Sequence, residues 1–263
     1  SLFEGSSLIN QTLDVIGGEN VDNAGNMYKD ATSYNQPITF DSQNVTNFSQ
    51  FLRDATSYNQ PITLDFSSAA SMPLFFFGCS SFNQKINFNT SNVSNFSSFL
   101  RGCVNFNKNV ELLTGNANNL SSFFNGASIF NSDVSFSDTS LVANMSQMFF
   151  NATAFNQPLT FTTSSVQDIS QFLRNSYSFN QPLNVLSFVS VTNMDRFMQG
   201  KTANDYDANY LSDLLIKLDQ DLVFANMVNV NISFGTIKYD ATGVTAYNSL
   251  INKGFIIQSG GQL

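Results

Sequence analysis

The hexapeptide Tyr-Asn-Gln-Pro-Ile-Thr occurs twice in this chain of 263 residues, at positions 34–39 and again at 58–63. An aromatic residue precedes its Asn, and a small residue (Ala, Cys or Ser) stands four positions before that Asn, in every copy of the pattern. The Asn recurs at steps of 24, 24, 24, 24, 25 and 24 residues, as Asn35, Asn59, Asn83, Asn107, Asn131, Asn156 and Asn180. Such a period indicates an array of stacked supersecondary units.

Each unit is predicted to contain a short strand and a short helix. In one unit Ile62-Thr63-Leu64 alternates apolar and polar residues, which is strand periodicity. The same alternation recurs at 38–40, 86–88, 110–112, 134–136, 159–161 and 183–185. Apolar residues at helical spacing precede these segments, for example Val45, Phe48, Phe51, Leu52 and Ala55, with Thr46 or Asn47 placed to cap. The sequence therefore predicts an α/β repeat solenoid of leucine-rich-repeat type, with one parallel strand and one short helix per unit.

Two further columns are expected to have structural roles. The recurring Asn can bond backbone groups of neighbouring units, and repetition would turn it into an internal ladder. Pro37, Pro61, Pro158 and Pro182 are expected to fix the entry of the chain into the strand.

The pattern divides the chain into three parts. Residues 1–24 form an N-terminal segment or an imperfect first unit, 25–200 the repeats, and 201–263 a C-terminal α/β cap. Within the cap, 210–222 is predicted to be an amphipathic helix, and Leu211, Leu214, Leu215 and Leu218 form its apolar stripe. A β-rich stretch (228–239), a second helix (245–252) and a last strand (255–257) should follow.

The repeats resemble the BspA-type leucine-rich repeat, known from mycoplasma surface lipoproteins and from viral and bacterial surface proteins. Phe155-Asn156-Gln157-Pro158-Leu159 carries the resemblance, as does Val191-Thr192-Asn193-Met194 followed by Phe197-Met198. It covers about 26–200. The usual Trp-Asp after the strand is missing, with Phe40-Asp41 the closest counterpart, so no specific ligand transfers. The resemblance implies surface exposure, adhesion and partner contact, and it supplies no catalytic residues.

Composition argues against several function classes. The net charge is −8 with scattered basic residues, so no nucleic-acid partner is expected. No apolar run is long enough to span a bilayer. The chain has no His, and its acids form no convincing pair, so neither an enzyme nor a cofactor is expected. Asp205, Asp207 and Asn209 alternate like the start of a calcium loop but lack its Gly and Glu, so no metal site is predicted.

Cys79 and Cys103 occupy one column in adjacent units. A spacing of about 5 Å would allow a disulfide, but buried free thiols in place of the small residue are favoured.

Two columns are candidates for recognition. The first is the polar middle position of the predicted strands, which points away from the core: Thr39, Thr63, Asn87, Glu111, Ser135, Thr160 and Asn184. The second lies late in the predicted helices, where Lys29, Arg53, Arg101 and Arg174 alternate with Phe77, Asn125 and Phe150. Its two Phe residues are interpreted as either a contact patch or core.

The favoured function is a non-enzymatic adhesion or receptor-binding module on an extracellular surface, of a virion or a cell. Its partner would be a glycan or protein on a host or neighbouring cell. The alternative is a structural or decoration subunit of a virion, such as a head or tail fibre component, packing against other virion or envelope proteins. Either function is compatible with an oligomer.

Overall fold

Adjacent repeat units lie side by side and hydrogen-bond in parallel register in a computed structural model that describes residues 2–11, 21–222 and 231–263. Strands β1 (Ile86–Phe88), β2 (Val110–Leu112) and β3 (Val134–Phe136) form one parallel sheet. Isolated parallel bridges continue the same stacking at the other end of each unit, from Asn23 through Asn47, Ser71, Asn95, Asn119, Asn144 and Asp168 to Asn193. Each unit thus contacts its neighbours at equivalent positions.

Only three of the seven predicted strands form in the described range 21–222. The segments 38–40, 62–64, 159–161 and 183–185 follow the same course without a regular ladder. Each of these four follows a Pro, whereas Lys85, Asn109 and Asp133 precede the three strands. Proline has no N–H to donate to a ladder, so it prevents regular pairing where it was expected to lead into a strand.

In segment 183–185, the last of the seven predicted repeat strands, the expected inward position is exposed. Val185 was expected to face inward like Phe161 and Phe136, but its side chain is 63% exposed. Leu186 and Phe188, further along the chain, are buried there instead.

The predicted helix in each unit is wrong: residues 21–200, all of which the structure describes, contain no α-helix. The backbone forms consecutive turns, with the N–H of Phe51 donating to the Phe48 carbonyl and that of Ala55 to the Leu52 carbonyl. The N–H of Leu52 instead donates to Phe75 of the next unit. Turns closed over three residues bury positions three and four apart, as a helix does, which is why the apolar spacing was misleading.

Positive backbone φ angles at two positions in each unit make these turns incompatible with a helix. In one unit they are Gln50 and Asp54, both with φ of 58°. The second position holds only Asp, Asn or Gly throughout the repeats, at Asp30, Asp54, Gly78, Gly102, Gly126, Asn151, Asn175 and Gly200. These residue types tolerate the left-handed region best, so this column was a readable signal for a turn.

Stacked aromatic rings fill the centre of the array. The ring before each ladder Asn stacks on its equivalents: Phe106, for example, lies 5.9 Å from Phe82 and 5.7 Å from Phe130 between ring centroids. Phe51, Phe75, Phe99 and Phe123 form a second such row. Ring separations of this size are typical of favourable offset stacking.

Buried hydroxyl groups form a polar column beside this core. Thr90 donates to the carbonyl of Leu113 at 2.9 Å, and Thr139 donates to that of Thr162 at 2.7 Å. Thr114 and Thr163 occupy the equivalent places. Each bond reaches the next unit, which satisfies a carbonyl that burial would otherwise leave unpaired.

The C-terminal region contains the predicted elements within the described residues. Helix α1 spans Ala208–Asp221 and buries Leu211, Leu214, Leu215 and Leu218, which confirms the predicted stripe. Strand β4 (Asn231–Ser233) pairs in parallel with β5 (Ile256–Gln258), and helix α2 spans Val244–Asn252. The part of the predicted β-rich stretch at 228–230 lies outside the described residues.

The buried Lys201 joins the last repeat to this region. Its Nζ donates to the carbonyls of Ser176 and Tyr177, at 2.7 and 3.1 Å, and the residue is 1% exposed. Burial lowers the pKa of the Lys201 ammonium from 10.5 to about 8, against a partial opposing effect of Asp205. A proton is therefore held less firmly in the folded chain than in the unfolded chain.

Replacing Phe106 by Ala should lower the free energy of unfolding by about 3–5 kcal/mol, because the ring is fully buried between two others. Denaturant unfolding measures the change. The control is Asn105→Ala at the exposed neighbouring position, which should stay within about 0.5 kcal/mol of the wild type. Equal effects of the two substitutions would contradict a stacked core.

Between pH 8 and 10.5 the unfolded chain keeps the Lys201 proton that the folded chain loses. The contribution of Lys201 to the free energy of unfolding should therefore rise with pH in this window, by at most about 1.4 kcal/mol per pH unit. The measurement is the difference between wild type and Lys201→Met at each pH, which cancels the titration of other groups. A difference that falls or stays flat above pH 8 would show that the ammonium is not buried.

Candidate binding face

The predicted strand column lies on one exposed face, as its alternation requires. Glu111 is partly buried, and the other six members are exposed: Thr39, Thr63, Asn87, Ser135, Thr160 and Asn184. Asn87, Glu111 and Ser135 are direct partners in the register of the three-stranded sheet. We call the outward side of β1, β2 and β3 the central strand face.

A shallow depression of about 260 Å³ lies on the central strand face. The side chains of Asn87, Glu111 and Ser135 line it together with Leu113 and Ser137. Phe88 and Leu112 also line it, and Leu113 is 43% exposed, so the depression combines hydrogen-bonding groups with apolar contacts. We call it the glutamate depression.

A second depression of about 310 Å³ lies on the preceding side of the strands. Lys85, Asn107, Lys108, Asn109 and Ser132 line it, and we call it the lysine depression. Lys85 Nζ lies 3.0 Å from Glu111 Oε1, so one ion pair links the two depressions. Its side chains are 60% and 41% exposed, which leaves both ends accessible to a ligand.

Both depressions lie where the sequence departs from its own repeat. Four units carry Gln-Pro after the ladder Asn, at 36–37, 60–61, 157–158 and 181–182. The three central units instead carry Gln84-Lys85, Lys108-Asn109 and Ser132-Asp133. The residues that stand in place of Gln-Pro in these three units therefore permit regular strands and also bring charged and amide groups to this face.

The Asn column forms a continuous ladder of side chain to backbone bonds. Each Asn Oδ1 accepts the N–H of the next ladder Asn at 2.8–2.9 Å, for all the pairs from Asn35 to Asn180. These Asn residues are half-buried or exposed, so the ladder runs along a surface edge and the expectation of an internal ladder was wrong.

The ladder extends beyond the residues identified from the sequence. Asn10 accepts the N–H of Asn35 at 2.9 Å, and the string Ile9-Asn10-Gln11 was the signal for it. At the other end Asn180 accepts the N–H of Asp207 at 2.8 Å, while Tyr206 stacks on Phe179. Asp207 also caps α1 by accepting the N–H of Asn209, which accounts for the acidic alternation there.

A second Asn column lies at the isolated parallel bridges. Asn47 accepts the N–H of Ser49 at 2.9 Å, and Asn95, Asn119 and Asn144 bond the Ser two positions ahead in the same way. In one unit the sequence predicted Thr46 or Asn47 as a helix cap. These Asn side chains instead close turns at the bridge column, which is the usual local use of an Asn side chain.

The basic column with Phe77 and Phe150 is neither a bare apolar patch nor core. The guanidinium carbons of Arg53 and Arg101 lie 5.2 and 5.5 Å from the centroid of the Phe77 ring, on a half-buried surface. Arg174 lies 5.4 Å from the Phe150 ring. Cation–π contacts of this kind cover the ring faces and hold the guanidinium groups in place.

Cys79 and Cys103 are free, fully buried thiols, as the sequence favoured. Each Sγ donates to a backbone carbonyl 27 residues earlier, Leu52 and Phe76 respectively, at 3.0 Å. Burial raises the pKa of both thiols, which keeps them protonated. Ser176 occupies the same column and donates in the same way to the carbonyl of Phe149 in the preceding unit, so this column has a structural role.

Replacing Asn59 by Ala should lower the free energy of unfolding by about 1–3 kcal/mol, because the Asn83 N–H and the Gln84 amide lose their acceptor. Asn59→Asp is the matched control, since a carboxylate oxygen can accept the same bonds. It should cost clearly less in denaturant unfolding. A larger loss for Asp than for Ala would show that the ladder depends on something other than this acceptor.

Among the residues described, no group of three His, Cys, Asp or Glu side chains could hold a metal ion. The helices that the structure describes include none long and apolar enough to cross a membrane.

Comparison with curated proteins and with solved structures finds no match. A family model described as Mycoplasma protein of unknown function, DUF285, matches the chain three times, at residues 1–86, 63–114 and 111–210. The three matches together span residues 1–210, well over half of the sequence. This chain therefore belongs to the DUF285 family of Mycoplasma repeat proteins.

Proposed function

We propose that this chain is a non-enzymatic adhesion or receptor-binding module, exposed on an extracellular surface, that recognises a glycan or protein on a host or neighbouring cell. The central strand face is its binding surface. The observation that carries the proposal is the coincidence of two adjoining depressions with the three units that break the repeat pattern.

The proposed architecture is a solenoid related to the BspA-type leucine-rich repeats. It is supported by the backbone hydrogen bonds between neighbouring units, which recur at the same positions in each unit. Stacked units of this kind present outward side chains at regular spacing on a rigid backbone. A binding surface gains from that rigidity because fewer groups must be ordered when a ligand binds.

The chemistry of the face favours binding over catalysis. Glu111 is the one carboxylate that lines either depression, and it is paired with Lys85. Hydrolysis of a glycoside generally needs two carboxylates that flank the scissile bond. The remaining polar lining groups are amides, hydroxyls and ammonium groups, which suit hydrogen bonding to a polar ligand, and Phe88, Leu112 and Leu113 add apolar contacts.

The test is saturable binding of the intact protein to cells and to a glycan array, with its mass in solution measured on the same sample. The triple variant Asn87→Ala, Glu111→Ala, Ser135→Ala should weaken binding at least about tenfold, since each lost hydrogen bond is worth about 1 kcal/mol.

A matched triple variant, Ser57→Ala, Asn105→Ala, Ser178→Ala, removes exposed polar side chains that line neither depression. It should bind like the wild type. No saturable binding, together with a stable oligomer or a co-purifying envelope or virion protein, would instead favour a structural or decoration subunit.

A further inference from the structure

The two depressions of the central strand face differ in the groups that they offer. Two ammonium groups, from Lys85 and Lys108, line the lysine depression, and its other lining residues are Asn107, Asn109 and Ser132. None of them is acidic. The glutamate depression contains the carboxylate of Glu111 and the polar side chains of Asn87, Ser135 and Ser137 beside the apolar Phe88, Leu112 and Leu113. A ligand that matches both depressions is therefore negative at one end and, at the other, offers hydroxyl groups next to an apolar surface, as a sugar ring does.

The internal bonds of the lysine depression leave it mainly with donors. Asn107 Oδ1 already accepts the N–H of Asn131 and the hydroxyl of Ser132, both at 2.9 Å. What remains of Asn107 for a ligand is its amide N–H. Lys108 forms no ion pair with any residue that the structure describes. Free ammonium and amide donors around one hollow match an anionic acceptor such as a carboxylate.

Lys85 and Glu111 connect the two ends of such a ligand. The Lys85 ammonium can share a ligand carboxylate with Lys108, and Glu111 then accepts hydroxyl groups from the neighbouring part of the ligand. Both side chains of the pair are exposed, so breaking this ion pair costs less free energy than breaking a buried one.

Size and charge restrict the ligand further. Depressions of about 260 and 310 Å³ lie at the small end of ligand sites, which suits a small molecule. Asp133 precedes β3 on this face, and the whole chain carries a charge of −8. A strongly acidic peptide would be repelled, whereas one isolated negative group among hydroxyls would not.

We propose that the ligand of the central strand face is an acidic sugar, whose carboxylate lies in the lysine depression beside Lys108 and whose hydroxyl-bearing ring lies in the glutamate depression. This inference rests on the proposed function and names the class of its ligand.

The experiment measures binding of the intact chain to sialylated and glucuronylated oligosaccharides, each beside its neutral counterpart; for sialyllactose this is lactose. At least one acidic sugar should bind about tenfold or more tightly than its counterpart, and added salt should reduce that preference. Lys108→Gln should abolish the preference. The matched control is Lys238→Gln, which removes an exposed lysine with no ion pair in the described C-terminal region and should leave the preference intact.

Three results would overturn the inference. They are equal binding of every acidic sugar and its neutral counterpart, an equal loss in the two lysine variants, or competition by a glutamate-rich peptide at the same concentration. In each case saturable cell binding that depends on the central strand face would leave the proposed function standing. Absence of any binding to cells or glycans would remove the proposed function itself.

Discussion

Backbone hydrogen bonds between equivalent positions of neighbouring units are the constraint on which the rest of this structure depends. The N–H of Leu52 bonds Phe75, that of Phe76 bonds Phe99, and that of Leu100 bonds Phe123, always one unit ahead. Because the register is constant, a side chain at one position must lie against the side chain at the same position in the next unit. Rings then stack on rings, and amides bond the backbone beside the next amide. The 24-residue period is therefore a consequence of packing, since a shift of one residue would bring unlike side chains together.

The same constraint decides where the sequence is free to vary. Inward positions hold apolar or small residues, and the column of Cys79 and Cys103 holds only Ala, Cys and Ser. Outward positions are not bound by stacking, so Pro61 in one unit becomes Lys85 in the next. The central strand face arises from this freedom. Its groups are unlike their counterparts in the flanking units, although the backbone beneath them keeps the same register.

Apolar residues spaced three and four apart formed a helix in the C-terminal region but turns in the repeats. Spacing of three and four residues correctly predicted α1, a helix whose backbone N–H groups bond carbonyls four residues earlier. The same spacing around Phe51 and Leu52 produced turns, since the next unit offers its own carbonyls to every second N–H. The residue types at Asp54 and Gly78 indicated the turn, whereas the hydrophobic pattern could not separate the two structures.

The sequence alone determined the repeat period, the inward and outward alternation of the segments up to 159–161, the ladder Asn positions and the elements of the C-terminal region, and it favoured free thiols at Cys79 and Cys103. These follow from periodicity and residue type, which are visible when one unit is compared with the next. Only the tertiary structure decided that Pro interrupts the sheet, that turns replace helices, and that Lys85 and Glu111 join two depressions. Each of these depends on bonds between units, and no pattern within one unit specifies which of its backbone groups a neighbour will satisfy.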